Sequence, residues 1–444
     1  MHLLLRVKCE LEYCEHEGIC PVNENSGYSD LVVVSGMGTI NPAGYGPSSL
    51  WDSLNSCYSH VEKIAAFDAS FFPTQIAAEV ANFDPSQYLE PKLIKRTGRA
   101  THLGTVAAIA AIKDAGLLIS ELDPCRIGLF VGASSPQLDV GEAALSSFHE
   151  GGLQRVHPFV LRAFFPNATA GAVSSMFGIK GPSITVSTGC SSGSNAIGLA
   201  FNSILRAEVD YAVVVGTDSL ITPLGMASFC ALKNMSTNND NPRDACRPFD
   251  LHRDGFVLGE ASGALVLERL HTAKRRAAPS YCSIAGYGSS STGDDLIYFA
   301  SQKDGLERAI RTSLTQADIL TNRIDFINAH GCGSRLMDEI ESAAIQTIFG
   351  NHTQSPPVFS IKSVIGHSFA AAGPIQVITS ALVFKYGYIP PVTNYSTLDP
   401  KCPINVVFHK TNLVNSDSNA LLNDFGYGGS SVSLVLQSIP QGLL

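Results

Sequence analysis

The chain has 444 residues, with 30 Lys and Arg against 39 Asp and Glu, a formal net charge of −9. Charged residues make up only 16 % and hydrophobic ones 45 %, against roughly 25 % charged in an average globular chain, so the composition suits a compact protein with a large core. An acidic, charge-poor chain lacks the basic surface that wraps nucleic acid, and 11 cysteines spread along a chain this long exclude a small disulfide-stapled domain.

In chain order, residues 1–29 come first and differ from the rest, with Cys9, Cys14, His16 and Cys20 set among Glu, Asn and Ser. Their spacing fits no paired zinc pattern, and the segment reads as a loosely ordered extension with free thiols. Leu3, Leu4 and Leu5 are too few for a signal-peptide core, and Glu10, Glu12, Glu15 and Glu17 are wrong for a mitochondrial presequence. No run approaches the ~18 consecutive apolar residues of a membrane span, so a reducing cytoplasm is the expected location. From Asp30 the texture becomes regular. Apolar runs at Leu31-Val32-Val33-Val34, Ile127-Gly128-Leu129-Phe130-Val131 and Tyr211-Ala212-Val213-Val214-Val215 alternate with Ala-rich helical stretches at 100–116 and 194–207. This alternation predicts an α/β protein with largely parallel, covered sheets.

Two halves echo each other. Leu129-Phe130-Val131 matches Phe326-Ile327-Asn328; Ile184-Thr185-Val186, leading through Cys190 into a helix, matches Pro357-Val358-Phe359, leading into a helix near His367; Gly263–Leu267 matches Ser433–Leu436. The break falls at 271–281, around the basic run His271–Arg276 and Pro279. It divides the chain into a half at 30–275 carrying a reactive Cys and a half at 276–444.

The segment Gly181–Ala196 places Cys190 between a short strand and a helix start, where unpaired N–H groups and the helix dipole favour a thiolate. Its small polar neighbours leave room for a substrate. His330, in Asn328-Ala329-His330-Gly331-Cys332-Gly333-Ser334, and His367, in Ile365-Gly366-His367-Ser368-Phe369, lie at junctions of the other half. Either histidine alone reads as a hydrogen-bonded core residue. The three together read as covalent catalysis more readily than as a metal site.

With Val32–Gly38, Arg247-Pro248-Phe249-Asp250, Arg253–Glu260 and Asn423-Asp424-Phe425-Gly426-Tyr427-Gly428-Gly429 in the same order, the chain from about 30 to 438 resembles the β-ketoacyl-acyl-carrier-protein synthases. These are the elongating condensing enzymes of fatty-acid and type II polyketide synthesis. The resemblance implies a thiolase-like five-layered α-β-α-β-α fold of two similar halves. It also implies acyltransferase activity: decarboxylative condensation of a malonyl thioester with an acyl chain held on Cys190. Backbone amides of Cys190 and Phe425 would form the oxyanion hole, and His330 and His367 would hold the malonyl carbonyl. Lys362 would order the His pair with Glu341 as its carboxylate partner, and Phe425 would gate the site from a Gly-rich loop. Cys332, Ser334 and Phe229 fall among the substrate-binding positions.

The resemblance further implies no metal and no organic cofactor, the substrates riding on the phosphopantetheine of an acyl carrier protein. An acidic carrier would dock on a basic rim of Lys92, Lys95, Arg96, Arg155 and Lys233, with Arg99 in the same cluster. A homodimer is the family expectation, or a heterodimer with an inactive homologue in a polyketide system; no nucleic acid or membrane is involved. Cys190 together with His330 and His367 argues against a non-condensing partner subunit. The last cysteine, Cys402, is followed by Pro403 and Ile404 and so does not open the Cys-x-Gly motif of a thiolase, and the pair of histidines argues against an initiating synthase. Three departures lean toward a specialised product. His330-Gly331-Cys332-Gly333-Ser334 replaces His-Gly-Thr-Ser-Thr, with one hydroxyl exchanged for a weakly bonding thiol. Gly288–Asp295 lacks the usual Asp-Ala-Tyr-His run, and Ala133–Gln137 is unusually polar.

Overall fold

The computed structural model describes residues 31–293, 302–351, 353–413 and 417–440. The expected extension at 1–29, with its thiols and His16, lies outside the described residues, as do Asp294 and Asp295.

Ten strands build the frame: β1 (Val32–Asn41), β2 (Ile127–Gly132), β3 (Ser183–Val186), β4 (Tyr211–Asp218), β5 (Ala261–Arg269), β6 (Cys282–Ser291), β7 (Phe326–Asn328), β8 (Val358–Phe359), β9 (Asn419–Phe425) and β10 (Ser430–Gln437). Their order is β3-β2-β4-β5-β1 in one leaf and β8-β7-β9-β10-β6 in the other. The second order is the first shifted by five strands. The pairing directions repeat as well. In each leaf the third strand in the chain (β3, β8) and the fourth (β4, β9) flank the second in parallel, and the rest pair antiparallel. The two leaves join through three residue pairs between β1 and β6, from Val32↔Ile284 to Val34↔Cys282.

The sheet is therefore mixed, which corrects the expectation of largely parallel strands. A strand covered on both faces reads as one apolar run whichever way its neighbours point, and β1, β2 and β9 are buried along their whole length.

Seven helices matter for the layering: α1 (Arg99–Asp114), α2 (Leu138–Gly151), α3 (Ala168–Phe177), α4 (Ser192–Leu205), α5 (Gln302–Ala317), α6 (Arg335–Phe349) and α7 (Ala372–Tyr386). With α3 packed on it, α1 covers the outer face of the first leaf, and α5 with α6 covers the second. Between the leaves, α4 touches β2, β4, β6 and β10, while α7 touches β4, β5 and β9. Five layers, α-β-α-β-α, result. A middle-layer helix meets protein on every side, and α7 is buried without interruption from Ala372 to Val383. This explains why Phe369–Tyr386 is apolar and long enough to pass as a membrane span although 83 % of that stretch is buried inside the fold.

The outer helices sit directly on their strands because of paired glycines. A Cβ at Gly36 or Gly38 of β1 would lie 2.2 Å from the Ala111 or Ala107 carbonyl of α1. At Gly286 and Gly288 of β6 it would lie 2.1 and 2.0 Å from the Ser313 and Ala309 carbonyls of α5. The same Gly-x-Gly contact thus serves both halves.

Candidate active site

Cys190 follows β3 and precedes α4, whose N-cap is Ser191. The turn is stitched by its own hydroxyls: Ser191 Oγ donates to the Thr188 carbonyl (2.9 Å), Ser192 Oγ donates to the Gly189 carbonyl (2.6 Å), and the Thr188 amide donates to Ser192 Oγ (2.8 Å). The small polar residues here hold the turn rather than leaving space, and both serines are fully buried. Opposite, the Cys190 sulfur lies against Gly426, where a Cβ would come within 2.6 Å of Sγ.

The repeat places His367 after β8 as Cys190 is placed after β3. Its backbone is pinned on both sides by the glycine-rich loop before β5, through His367 N–H to the Val257 carbonyl (2.8 Å) and Gly259 N–H to the His367 carbonyl (2.9 Å). The ring stacks on Phe369 at 4.3 Å and directs Nε2 to Cys190 Sγ, 3.2 Å away. Its Nδ1 is buried with no hydrogen-bond partner.

His330 follows β7. Glu341, on α6, accepts from the amides of His330 (2.9 Å) and Gly331 (2.8 Å), and Lys362 Nζ donates to the His330 carbonyl. Lys362 and Glu341 therefore both act on the His330 backbone with no direct salt bridge between them; the expected Lys–Glu partnership runs through this shared target and the Coulombic pull of Lys362 on the carboxyl. The His330 ring is 5.1 Å from that of His367 and 4.7 Å from that of Phe425. Its Nδ1 meets Asp424 Oδ1 at 2.8 Å, and Asp424 Oδ2 accepts from Ser194 Oγ at 3.0 Å. This occupation of Nδ1 leaves Nε2 as the nitrogen available to a substrate.

Charge follows burial. Burial pushes the Cys190 thiol up, so the resting group is a thiol and the thiolate expected from the helix dipole does not prevail. Burial, then the Lys362 cation, holds both imidazoles well below their usual range, leaving them neutral at pH 7. Burial also raises the Asp424 and Glu341 carboxyls to about 7. A neutral thiol against a neutral imidazole is a nucleophile with its base in place.

Phe425 is the last residue of β9, fully buried, and not part of the loop, which begins at Gly426. Cys332 and Ser334 are buried after β7, where Asp338 accepts from the amides of Cys332 (3.0 Å) and Gly333 (3.2 Å). Phe229 joins an aromatic wall with Phe369 (5.1 Å) and Phe256 (5.7 Å) beside His367. Asp424, Ser194 and Gly426 were not singled out from sequence. The available signal for Asp424 was an acidic residue ending the apolar run Ala420-Leu421-Leu422.

The chain matches the β-ketoacyl synthase N-terminal domain over residues 29–273 and the corresponding C-terminal domain over 281–396. The chain belongs to the β-ketoacyl synthase family. It is 35 % identical over 408 residues to the 3-oxoacyl-[acyl-carrier-protein] synthase 2 of Coxiella burnetii, covering 92 % of this chain and 98 % of that one. It is 37 % identical over 416 residues to a Streptomyces halstedii protein named in the polyketide β-ketoacyl synthase class, with the same coverage of both chains. Among solved structures, the ishigamide ketosynthase/chain length factor superposes with a TM-score of 0.84 at 29 % identity, over 93 % of this chain and all of that one. A type II polyketide ketosynthase in complex with its acyl carrier protein superposes at 0.85 and 27 % identity, with the same coverage. The fold is that of these condensing enzymes, and the activity is acyl transfer of the 3-oxoacyl synthase type.

The predicted docking residues divide. Lys92 and Arg96 line one groove of about 800 Å³ together with Arg162 and Phe159, and Arg96 lies over the Phe159 ring at 4.4 Å. Lys95 caps the same short helix, Pro91–Ile94. Arg155 and Lys233 are exposed but do not line that groove. Arg99 is not a free charge: it forks onto buried Glu260 at 2.6 and 2.7 Å and also donates to the Val80 carbonyl.

Proposed function

We propose that Cys190 takes an acyl chain from an acyl carrier protein and that the His pair drives decarboxylative condensation with a carrier-bound malonyl group. The contact of Cys190 Sγ with His367 Nε2 at 3.2 Å, beside a second neutral imidazole, carries this reading. In the first half-reaction Sγ attacks the acyl thioester carbonyl, and its proton passes to His367 Nε2 and leaves on the departing carrier thiol. Amides of Cys190 and Phe425 receive the oxyanion. In the second, the malonyl thioester oxygen lies between the imidazoles as the C–CO2 bond breaks. The resulting enolate attacks the acyl-Cys190 carbonyl, forming the C–C bond and expelling the thiolate, which takes one proton from solvent to restore the resting thiol.

The imidazoles suit different tasks. With no partner at Nδ1, neither tautomer of His367 is locked, so Nε2 can accept a proton in one step and donate in the other. His330 is fixed by its neighbours. Glu341 and Lys362 position it, Phe425 closes the chamber over it, and Cys332, Ser334 and Phe229 line the approach for the pantetheine arm and chain.

Lys92, Lys95 and Arg96, at the groove that includes Arg162, form the core of the carrier-docking surface, with Arg155 and Lys233 as outlying charges. The edge strand β3 is short and leaves Ile184 42 % exposed, as expected of a face that a second subunit covers, either an identical copy or an inactive homologue. The heterodimeric, polyketide reading is favoured by Cys332 and Gly333, which replace a hydroxyl-bearing pattern. We place the protein in the cytoplasm, since all eight described cysteines are free, as in a reducing compartment. We also divide the chain into halves at 30–275 and 276–444, following the strand repeat.

Intact-mass measurement after mixing with acyl carrier proteins bearing saturated, polyunsaturated or β-keto chains tests the reading, with Cys190→Ala as control. A Cys190-dependent adduct supports it, and the preferred chain separates fatty-acid from polyketide roles. No adduct from any carrier, with or without a co-purified partner, overturns it.

A further inference from the structure

We propose that Asp424 is a positioning residue for His330: it holds the ring with Nε2 protonated toward the substrate and keeps a proton on the Oδ1–Nδ1 line that moves to the imidazole as the enolate forms. The proposal rests on the condensing-enzyme reading above.

Asp424 Oδ1 and His330 Nδ1 are 2.8 Å apart, and both side chains are 1 % exposed. Rotation of the carboxyl is blocked, since Oδ2 is held by Ser194 Oγ (3.0 Å) from the first turn of α4, the helix that Cys190 precedes. Phe425, the next residue, packs its ring on the same imidazole. One strand end thus fixes both the face and the edge of His330.

An ionised carboxylate at this depth needs a cation or several donors. Ser194 Oγ donates to it, the Phe425 amide adds a weaker contact, and the nearby ammonium of Lys362 is spent on the His330 carbonyl; burial outweighs all three. The neutral acid is then the resting form. Its O–H donates to Nδ1, which forces the ring proton onto Nε2. As CO2 leaves and negative charge builds on the thioester oxygen, the Asp424 O–H bond breaks and the Nδ1–H bond forms. An imidazolium then faces the enolate with a carboxylate behind it, and no proton leaves the protein. When the charge departs as the Cys190 thiolate, the proton returns to Oδ1.

The ionisable groups around the pair are Lys362 and Glu341, which hold the His330 backbone, Cys332 beyond it, and His367 and Cys190 across the chamber. Lys362 favours the ionised carboxyl, burial outweighs it, and the Asp424 carboxyl titrates near 7. Above that pH Asp424 loses its proton, the remaining ring proton moves to Nδ1, and Nε2 can no longer donate. Condensation therefore falls as pH rises through about 7.

The test measures three quantities on the full chain: Cys190 acylation by intact mass, kcat for condensation from pH 5.5 to 9, and the histidine ¹⁵N NMR spectrum. In Asp424→Asn the amide still donates to Nδ1 but cannot release a proton. The expected result is roughly a 10- to 100-fold loss of kcat, a kcat profile without the alkaline limb near 7, and acylation of Cys190 at close to the wild-type rate. The wild-type spectrum should show His330 protonated on Nε2 below pH 7. Wild-type kcat and an unmoved limb in Asp424→Asn, or a His330 protonated on Nδ1 alone, would overturn the proposal. If Asp424→Asn does not fold, Ser194→Ala takes its place: freeing Oδ2 must shift the limb, and an unmoved limb counts against the proposal. A wild type that never acylates Cys190 refutes the condensing-enzyme reading instead, so the two failures are distinguishable.

Discussion

Replacing Gly426 by Ala should disable the nucleophile without unfolding the protein. The added Cβ would lie 2.6 Å from Cys190 Sγ, 2.9 Å from its Cβ and 3.3 Å from its amide nitrogen, about 1 Å inside the roughly 3.5–4.0 Å optimum for such contacts. Gly426 is not among the residues with positive φ, so the effect is collision and not backbone strain. Relief requires the turn after β9, or Cys190 itself, to move by about 1 Å. Overpacking of this size costs roughly 1–3 kcal/mol of stability, a shift of only a few degrees in Tm for a chain this long. The same displacement separates Sγ from His367 Nε2, and about 1 Å of misplacement costs on the order of 100-fold in rate, equivalent to about 2.7 kcal/mol of barrier. The assay is the rate of Cys190 acylation by intact mass, with Tm by calorimetry. Gly428→Ala is the control: Gly428 has φ +87° and nothing within 4 Å of an added Cβ, so it should cost about 1–2 kcal/mol of strain and leave acylation nearly unchanged. Wild-type acylation in Gly426→Ala, or equal losses in both variants, would refute the reasoning.

Cys190→Ala should abolish the acyl adduct while malonyl decarboxylation survives in part, since the His pair remains; an adduct that persists would move the nucleophile elsewhere. Reversing Lys95 and Arg96 to Glu should raise KM for the acyl carrier protein several-fold with little change in kcat, and an unchanged KM removes that groove from docking. Arg99→Ala should instead lower Tm and leave KM alone, because Glu260 loses its guanidinium partner in a site where the carboxylate is 2 % exposed. Asp218, buried at the end of β4 and accepting from the Ser134 and Ala370 amides, has its carboxyl raised by burial to about 7. A carboxyl raised in the folded state binds more protons there than when unfolded, so its contribution to stability declines as pH rises from about 4 to about 7. Asp218→Asn should accordingly be more destabilising at pH 5 than at pH 8 in urea melts, and the reverse order would contradict the assigned shift.

Much of the frame is legible because the same physics is written twice. The runs at Val32, Ile127, Tyr211 and Phe326 became strands where read, and the helical stretches at 100–116 and 194–207 became α1 and α4 within a residue or two. Cys190, His330 and His367 were findable because each sits where an apolar strand gives way to small residues before a helix. Strand direction was not legible, since burial on both faces erases the alternation that would report it. Nor were the partnerships of the charged groups. Arg99 looks like one more cation in a basic cluster until Glu260, 161 positions away, is folded against it. Asp424 carries no local signal of its partner either, 94 positions upstream at His330. Backbone hydrogen bonding hid the roles of Glu341 and Lys362, because both grip the main chain at His330, which no side-chain pattern encodes.

The repeat also explains why the chemistry lies where it does. Each half runs from its third strand through a reactive side chain into a middle-layer helix, α4 after Cys190 and α7 after His367. Because α4 packs both on α7 and on the turn Phe369–Ala371 that precedes it, the two helix N-termini converge on one chamber. Each brings the positive end of its dipole. Burial works the other way, raising the thiol and both carboxyls and keeping both imidazoles neutral. The balance disfavours a standing charge and favours one that appears only during reaction, first on the acyl oxyanion and then on the enolate. Fixed dipoles, with the Lys362 ammonium held on the His330 carbonyl, stabilise the transition state more than the resting enzyme, and this differential accelerates the chemistry.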